Sequence, residues 1–201
     1  MRKLIVAEHI SLDGVIQSPG APDEDASGDF RLGGWTVPYG DELIGEALQD
    51  LFSQPFDLLL GRRTYDIWAT YWPHQHDAIA DQFNKVAKHV ATHRPDSLGW
   101  KGSHALKGEL AEAVRALKKV GDANLMTWGS AEMVNQLLAA GLVDELWLFR
   151  YPVVLGHGKR LFDGDSQASS FSVAYSKNTS DGVAITRYER GGEVRIGTFR
   201  K

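Results

Sequence analysis

The residues of this chain best able to do chemistry stand where apolar stretches end on a glycine. Gly61-Arg62-Arg63-Thr64 follows Phe56-Asp57-Leu58-Leu59-Leu60, and Trp128-Gly129-Ser130-Ala131 follows Asn124-Leu125-Met126-Thr127. Glycine lets a ligand approach the backbone, and the free N–H groups of a helix starting there attract an anion. Arg62 and Arg63 add charge and the planar fork that suits phosphate. The alternatives are a solvated arginine pair after an ordinary turn and, at Ser130, a plain helix N-cap. Two such ends in one sheet favour a dinucleotide.

A third glycine segment, Leu155-Gly156-His157-Gly158-Lys159-Arg160, is basic but fits neither nucleotide fingerprint. A Walker loop needs glycine at Val153 and Ser or Thr at Arg160, and a Rossmann turn needs glycine at Leu161. It reads as a turn that can touch phosphate. The seven histidines do not form a metal pattern. His89 and His93 lie in a strand pattern, where four residues span ~13 Å. His74 and His76 sit in a loop with no matching carboxylate, so no metal site is expected. There is no Gly-x-Ser-x-Gly elbow, and the absence of cysteine removes thiolates, disulfides and Cys-based zinc together. Among the aromatic residues, Trp128 at its glycine-terminated strand and Trp35 are the candidates to stack on a flat substrate. Asp41 and Glu42 open a helix; they are either a proton source or complements to the helix dipole.

The elements that must position these residues can be read from periodicity. Apolar runs at Lys3–His9, Phe56–Leu60, Lys88–Thr92, Asn124–Trp128 and Val143–Leu155 predict strands. Helical spacing predicts helices over Asp41–Gln54, from Arg62 to near Pro73, and over Ala78–Asn84, Leu110–Val120 and Ala131–Ala140. Pro152 predicts a bulge or an edge in the long strand. Ser170–Ser176 and Val183–Arg190 alternate as the arms of a hairpin turning at Asp181-Gly182. The fold class is therefore α/β, with a mainly parallel sheet, helices on both faces and antiparallel strands at one edge. Such sheets bind ligands at the carboxyl ends of their strands. Residues 17–40 are too long for a plain connector and read as a functional loop.

Composition narrows the classes further. With 43 % hydrophobic and 24 % charged residues, a net charge of −4 and no long apolar run, the 201 residues predict one soluble cytoplasmic domain over 1–201. Neither a nucleic acid nor a membrane is an expected partner. The basic start, Met1-Arg2-Lys3, precedes an apolar stretch too short for a signal peptide, which acidic Glu8 follows.

Ser11-Leu12-Asp13-Gly14, Leu60-Gly61-Arg62-Arg63-Thr64-Tyr65, Trp128-Gly129-Ser130, Asp144-Glu145-Leu146, Pro152-Val153-Val154-Leu155-Gly156 and Lys159-Arg160-Leu161-Phe162 follow one another in this order. The sequence thereby resembles the RibD C-terminal, dihydrofolate-reductase-like family from about Lys3 to Tyr188. The resemblance implies a three-layer α/β/α sandwich that binds NADPH and often dimerises. By the same resemblance, Gly61, Arg62, Arg63 and Thr64 match the segment at the adenosine-side phosphates, with Arg62 at the 2′-phosphate and Thr92 and His93 beside it. Gly129, Ser130 and Ala131 match the pyrophosphate turn, with a cis Gly129–Ser130 peptide implied. Leu12, Asp13 and Gly14 match the loop near the nicotinamide, and Val154, Leu155 and Gly156 a strand end that closes the site.

The activity nearest to hand is that of the riboflavin-pathway reductase, 5-amino-6-(5-phosphoribosylamino)uracil reductase. The expected function is an NADPH-dependent reductase of a small planar heterocycle, working as a homodimer, with residues 17–40 as lid and Asp41 or Glu42 as proton source. The alternatives are a dihydrofolate or pteridine reductase and a non-catalytic NADPH-binding protein. The helix carboxylate of dihydrofolate reductases has no counterpart, since counting back from Gly61 reaches Gly45. No deaminase motif is present.

Overall fold

The structure, a computed structural model, describes residues 1–162 and 167–199. Eight strands form one sheet: β1 (Leu4–Ile10), β2 (Phe56–Gly61), β3 (Lys88–Ala91), β4 (Ser103–Ala105), β5 (Asn124–Thr127), β6 (Glu145–Arg150), β7 (Phe171–Asn178) and β8 (Ala184–Arg190). Their order is β4-β3-β2-β5-β1-β6-β8-β7. The first six pair in parallel, and the β6–β8 and β8–β7 pairs are antiparallel. Five helices cover it: α1 (Glu42–Leu51), α2 (Arg62–Tyr71), α3 (Ala78–Lys85), α4 (Leu110–Lys118) and α5 (Ala131–Ala139). The α/β sheet with antiparallel C-terminal strands is as expected.

The strands are nearly continuous apolar runs because both faces are covered. In β1, Ile5 and Ala7 join one core with Leu58 and Leu60 of β2, Met126 of β5 and Phe149 of β6. Leu4, Val6 and Ile10 join the opposite core with Leu59, Leu125 and Leu146. The first core carries Ala47 and Leu51 of α1, Tyr65 of α2 and Phe83 of α3. The second carries Val114 of α4 and Met133, Val134, Leu137 and Leu138 of α5. Alternation along β1 thus sends even residues toward α4 and α5 and odd residues toward α1–α3.

Two elements differ from expectation. Ser103–Ala105 is a strand that lacks an apolar alternation; it is a three-residue edge held by Lys88–Ala91. The run Val143–Leu155 forms a ladder only over Glu145–Arg150. Beyond it the Tyr151 N–H still donates to Ile10, but the chain then turns at Pro152, and Val153 accepts from the Leu12 N–H. Proline removes a ladder donor, so the strand ends and its continuation becomes an arm over the first loop.

The chain leaves β1 toward β2, β3 and β4, returns to β5 beside β1, and then crosses to β6. Strand order reverses around β1 and β5. In open α/β sheets a crevice forms at the carboxyl ends of strands at such a point.

Candidate functional site

The carboxyl ends of β1 and β5 meet in register. Val6 pairs with Thr127, so Glu8 and Gly129, two residues further on, lie side by side. The Glu8 side chain is buried at 3 % exposure, on the α5 side of the sheet. Its Oε1 accepts the Gly129 N–H at 2.7 Å, and no ion pair involves it among the described residues. Burial pushes the Glu8 carboxyl up to about 8, against the opposing pull of the Gly129 hydrogen bond. Glu8 is a neutral carboxylic acid at neutral pH.

His9 points to the other face, where its ring lies 5.1 Å from Phe149 and its Nδ1 shares a 2.9 Å hydrogen bond with the Tyr151 hydroxyl. Withdrawal from water lowers its pKa to about 4, so His9 is neutral as well. Two adjacent residues of one strand are thus held uncharged by one cause, burial, which raises the acid and lowers the base.

The turn after β5 is built by left-handed backbone at Gly129 (φ 67°) and Ser130 (φ 62°). No described peptide bond is cis, which corrects the expectation for Gly129–Ser130: the reversal is made by two left-handed residues. The Ser130 hydroxyl meets that of Thr64 at 2.8 Å. A Cβ on Gly61 would lie 2.1 Å from Ser130 Oγ, and one on Gly129 2.9 Å from Thr64 Oγ1. The two glycine segments are therefore interlocked, and both glycines are required by close approach.

A cleft of about 120 Å³ opens here, lined by Glu8, Ile16, Thr64, Trp68, Trp128 and Ser130 among others. Trp128 is packed against Phe52, Trp68 and Phe83 at 5.6–6.1 Å between ring centroids and presents an apolar wall. Ala131, in the first turn of α5, also lines the cleft. The volume is below the ~300–1,000 Å³ of typical ligand sites, and a strap narrows it. Asp25 of the 17–40 loop accepts Lys159 Nζ at 2.6 Å and Arg63 Nη2 at 3.0 Å, and all three line the cleft. Burial works to raise the Asp25 carboxyl, but the Lys159 ammonium and the Ser27 hydroxyl and N–H hold it down to about 2. The loop is fastened by Gln17, whose amide donates to the Asp25 and Ser27 carbonyls at 2.9 Å and accepts the Lys159 N–H at 3.0 Å.

Other predicted residues fall in two further groups. Asp13 accepts from Ser11 Oγ (2.7 Å) and from the N–H groups of Leu155 (3.0 Å) and Gly156 (2.9 Å). Burial would raise this carboxyl, yet those donors hold it down to about 2. It ties the Leu12-Asp13-Gly14 turn to the Val154-Leu155-Gly156 arm, outside the lining of the cleft. Arg62 is engaged by Asp66 (2.8 Å), Thr92 Oγ1 (3.3 Å), the Arg94 carbonyl (3.0 Å) and Ser97 Oγ (2.8 Å). It fastens the 92–97 loop to α2, and His93 is exposed beside it.

The expected proton sources, Asp41 and Glu42, and the aromatic candidate Trp35 also lie outside the lining of the cleft. Asp41 caps α1, accepting from the Leu43 N–H at 2.9 Å and from Ser180 Oγ at 2.8 Å. The Leu43 N–H, with the Ser180 hydroxyl, holds its carboxyl below the usual range, so it is an ionised acceptor on the surface. Glu42 is exposed in the first turn of α1. Trp35 donates its indole N–H to the Gln17 carbonyl at 2.8 Å and sets its ring on edge against Tyr151, pinning the loop. Glu24 and Asp25 reach the cleft from the 17–40 loop, and the buried acid on the strand beneath it is Glu8. Its signal was an ionisable pair, Glu8-His9, inside the apolar run Leu4–Ile10.

The family model of the RibD C-terminal domain matches residues 2–185. The chain belongs to the RibD C-terminal domain family. Two full-length relatives come from Bacillus subtilis: the uncharacterized protein YwjB, 31 % identical over 192 residues (92 % of this chain, 96 % of that one), and the uncharacterized protein YyaP, 26 % identical over 196 residues (95 % and 96 %). The RibD C-terminal fold also recurs in solved structures. A provisionally named riboflavin biosynthesis protein of Shewanella sp. PV-4 is 22 % identical, with TM-score 0.66 over 94 % of this chain and 99 % of that one. A pyrimidine reductase-like protein of Corynebacterium diphtheriae is 16 % identical, with TM-score 0.64 over 96 % and 93 %. No described helix is long and apolar enough to cross a membrane.

Proposed function

We propose that this chain is a pyridine-nucleotide-dependent reductase of a small planar heterocycle, with NADPH as its cofactor. The observation that carries the reading is the interlocked pair of glycine turns, Gly61 against Ser130 and Gly129 against Thr64, opening on a cleft walled by Trp128 and Trp68. Backbone that no side chain can occupy, beside hydroxyl donors and the start of a helix, suits a pyrophosphate. The aromatic wall suits a flat ring. The name of the Corynebacterium protein, pyrimidine reductase-like, supports the same reading, and that of the Shewanella protein adds riboflavin biosynthesis.

In this reading Thr64, Ser130 and the first turn of α5 hold the pyrophosphate. Arg62, Thr92 and Ser97 take the 2′-phosphate, with Arg94, itself paired to Asp66 at 3.2 Å, at the rim. Trp128 and Trp68 orient the reacting ring, and the 17–40 loop excludes water once Asp25 releases and regrips Lys159 and Arg63. When bound, NADPH supplies the hydride; the protein supplies orientation and electrostatics. A homodimer belongs to the same proposal, carried by the resemblance alone.

Titration with NADPH and then NADH, followed by oxidation assays against pyrimidines, pteridines and quinones, tests the reading. Expected are quenching of tryptophan fluorescence, tighter binding of NADPH, and turnover with a pyrimidine-like ring. Binding without turnover on any of these would favour a cofactor-binding protein. No binding of either nucleotide would remove both.

A further inference from the structure

A buried acid at the floor of a site read as holding phosphates is a feature that this reading does not use. The β5–α5 turn offers the Gly129 N–H, and Glu8 Oε1 already occupies it at 2.7 Å. The Gly129 bond engages Oε1 and leaves the second carboxyl oxygen out of it. The ionisable groups around it do not favour a charge there. His9 lies on the opposite face of the same strand, bonded to Tyr151. From the 17–40 loop come Glu24 and Asp25, both acidic; from α2 and the loop after β6 come Arg63 and Lys159, both engaged by Asp25. The exposed first turn of α5 adds Glu132. On the buried side, β5 contributes the uncharged Thr127, whose hydroxyl has no partner.

We propose that Glu8 couples a proton to ligand binding: the cleft accepts a phosphate-bearing ligand when Glu8 is a neutral carboxylic acid and disfavours it when Glu8 is a carboxylate. The inference rests on the nucleotide reading above. The physical reason is like-charge repulsion within a desolvated site, where two negative charges interact far more strongly than in water. A carboxylate bonded to Gly129 and an arriving pyrophosphate would compete for one N–H and repel each other. The neutral acid removes the repulsion and leaves an O–H free to donate toward the ligand. Burial sets the free protein's midpoint at about 8, so the linkage operates just above neutrality. By linkage the ligand must in turn hold the proton on, moving the midpoint upward.

Infrared spectra between about pH 6 and 10, with tryptophan-detected NADPH titrations at the two ends, test this on wild type and Glu8→Gln. Glutamine keeps the carbonyl that accepts from Gly129 but cannot titrate. Wild type should show a carboxylic-acid C=O band that Glu8→Gln lacks, bleaching near pH 8 and surviving about a unit higher with NADPH bound. NADPH should bind roughly sevenfold more weakly at about pH 9.5 than at about pH 7 in wild type, the change that a midpoint raised by about one unit requires. In Glu8→Gln the two affinities should agree within about twofold. A Glu8 band already absent at pH 7, or an equal pH effect in Glu8→Gln, overturns the proposal. A normal band with pH-independent NADPH binding overturns the linkage and leaves the reductase reading standing. Absence of NADPH binding at every pH overturns that reading, and the linkage falls with it.

Discussion

The two glycine turns of this sheet look alike in sequence and behave differently in the fold. Gly61, before α2, has ordinary backbone (φ −71°), and the arginine that follows it is fully engaged by Asp66, Thr92, Arg94 and Ser97. Gly129, before α5, is left-handed, as is Ser130 after it, and its N–H faces a buried acid on an open cleft. Both glycines are pressed by the opposite turn, but only the second lines the cleft itself. Which polar groups remain unsatisfied, more than which residues occur, separates the two.

The largest effect that would sharpen this contrast is on stability, at Glu8. Its carboxyl titrates near 8 in the folded protein, against an ordinary value of 4.5. Below pH 4.5 both folded and unfolded chains carry the proton and nothing is lost. Between 4.5 and about 8 the unfolded chain releases it first, so stability falls as pH rises, by on the order of 5 kcal/mol in full. Glu8→Gln removes that loss. Its stability advantage over wild type should grow from pH 5 to pH 8 in urea unfolding, and a constant difference would mean that Glu8 is ionised in the fold.

Gly61→Ala probes the other turn. The backbone there suits alanine, so the only penalty is the clash with Ser130, about 2–3 kcal/mol. Ser130→Gly in the same chain should recover most of it, because the two changes share one contact. A Gly61→Ala variant of unaltered stability would show that the turns are not interlocked.

At Arg62 the expected effect is on cofactor choice. Arg62→Gln should weaken NADPH more than NADH by about 1–3 kcal/mol, the range for a lost charged hydrogen bond. Equal loss for both nucleotides would leave Arg62 as a tie between α2 and the 92–97 loop and nothing more. The smallest effect belongs to the strap. Asp25→Asn weakens the grip on Lys159 and Arg63 and should speed NADPH association a few-fold in stopped-flow fluorescence, the usual consequence for on-rate of removing a repelling carboxylate. A slower rate would show that Asp25 organises the cleft instead of closing it.

Much of the fold was legible because burial on both faces leaves apolar runs, and α1–α5 each carry a clear helical stripe. Ser103–Ala105 was not, since a three-residue edge strand is specified by its neighbour Lys88–Ala91 and not by its own pattern. Val143–Leu155 was legible as apolar but not as two pieces, because Pro152 sets the break and only tertiary contact with Leu12 shows where the arm goes.

The candidate site was legible at its glycines and illegible at its acid. Asp41 reads identically as an N-cap and as a proton donor; in the fold it caps α1 and meets Ser180. Glu8 was hidden by its place at the end of a strand, where a charge ordinarily marks the return to solvent. Its neighbours in space bury it, with Gly129 after β5 on one side and Leu148 of β6 on the other.

The central claim is that a dinucleotide lies across the β5–α5 turn. Amide NMR of the protein during NADPH addition tests it most directly. The largest shifts are expected at Gly129, Ser130 and Ala131 and at Glu8 and Thr64, with smaller ones around Thr92 and Ser97. Saturable shifts confined to other residues, with Gly129 and Ser130 unmoved, would contradict it.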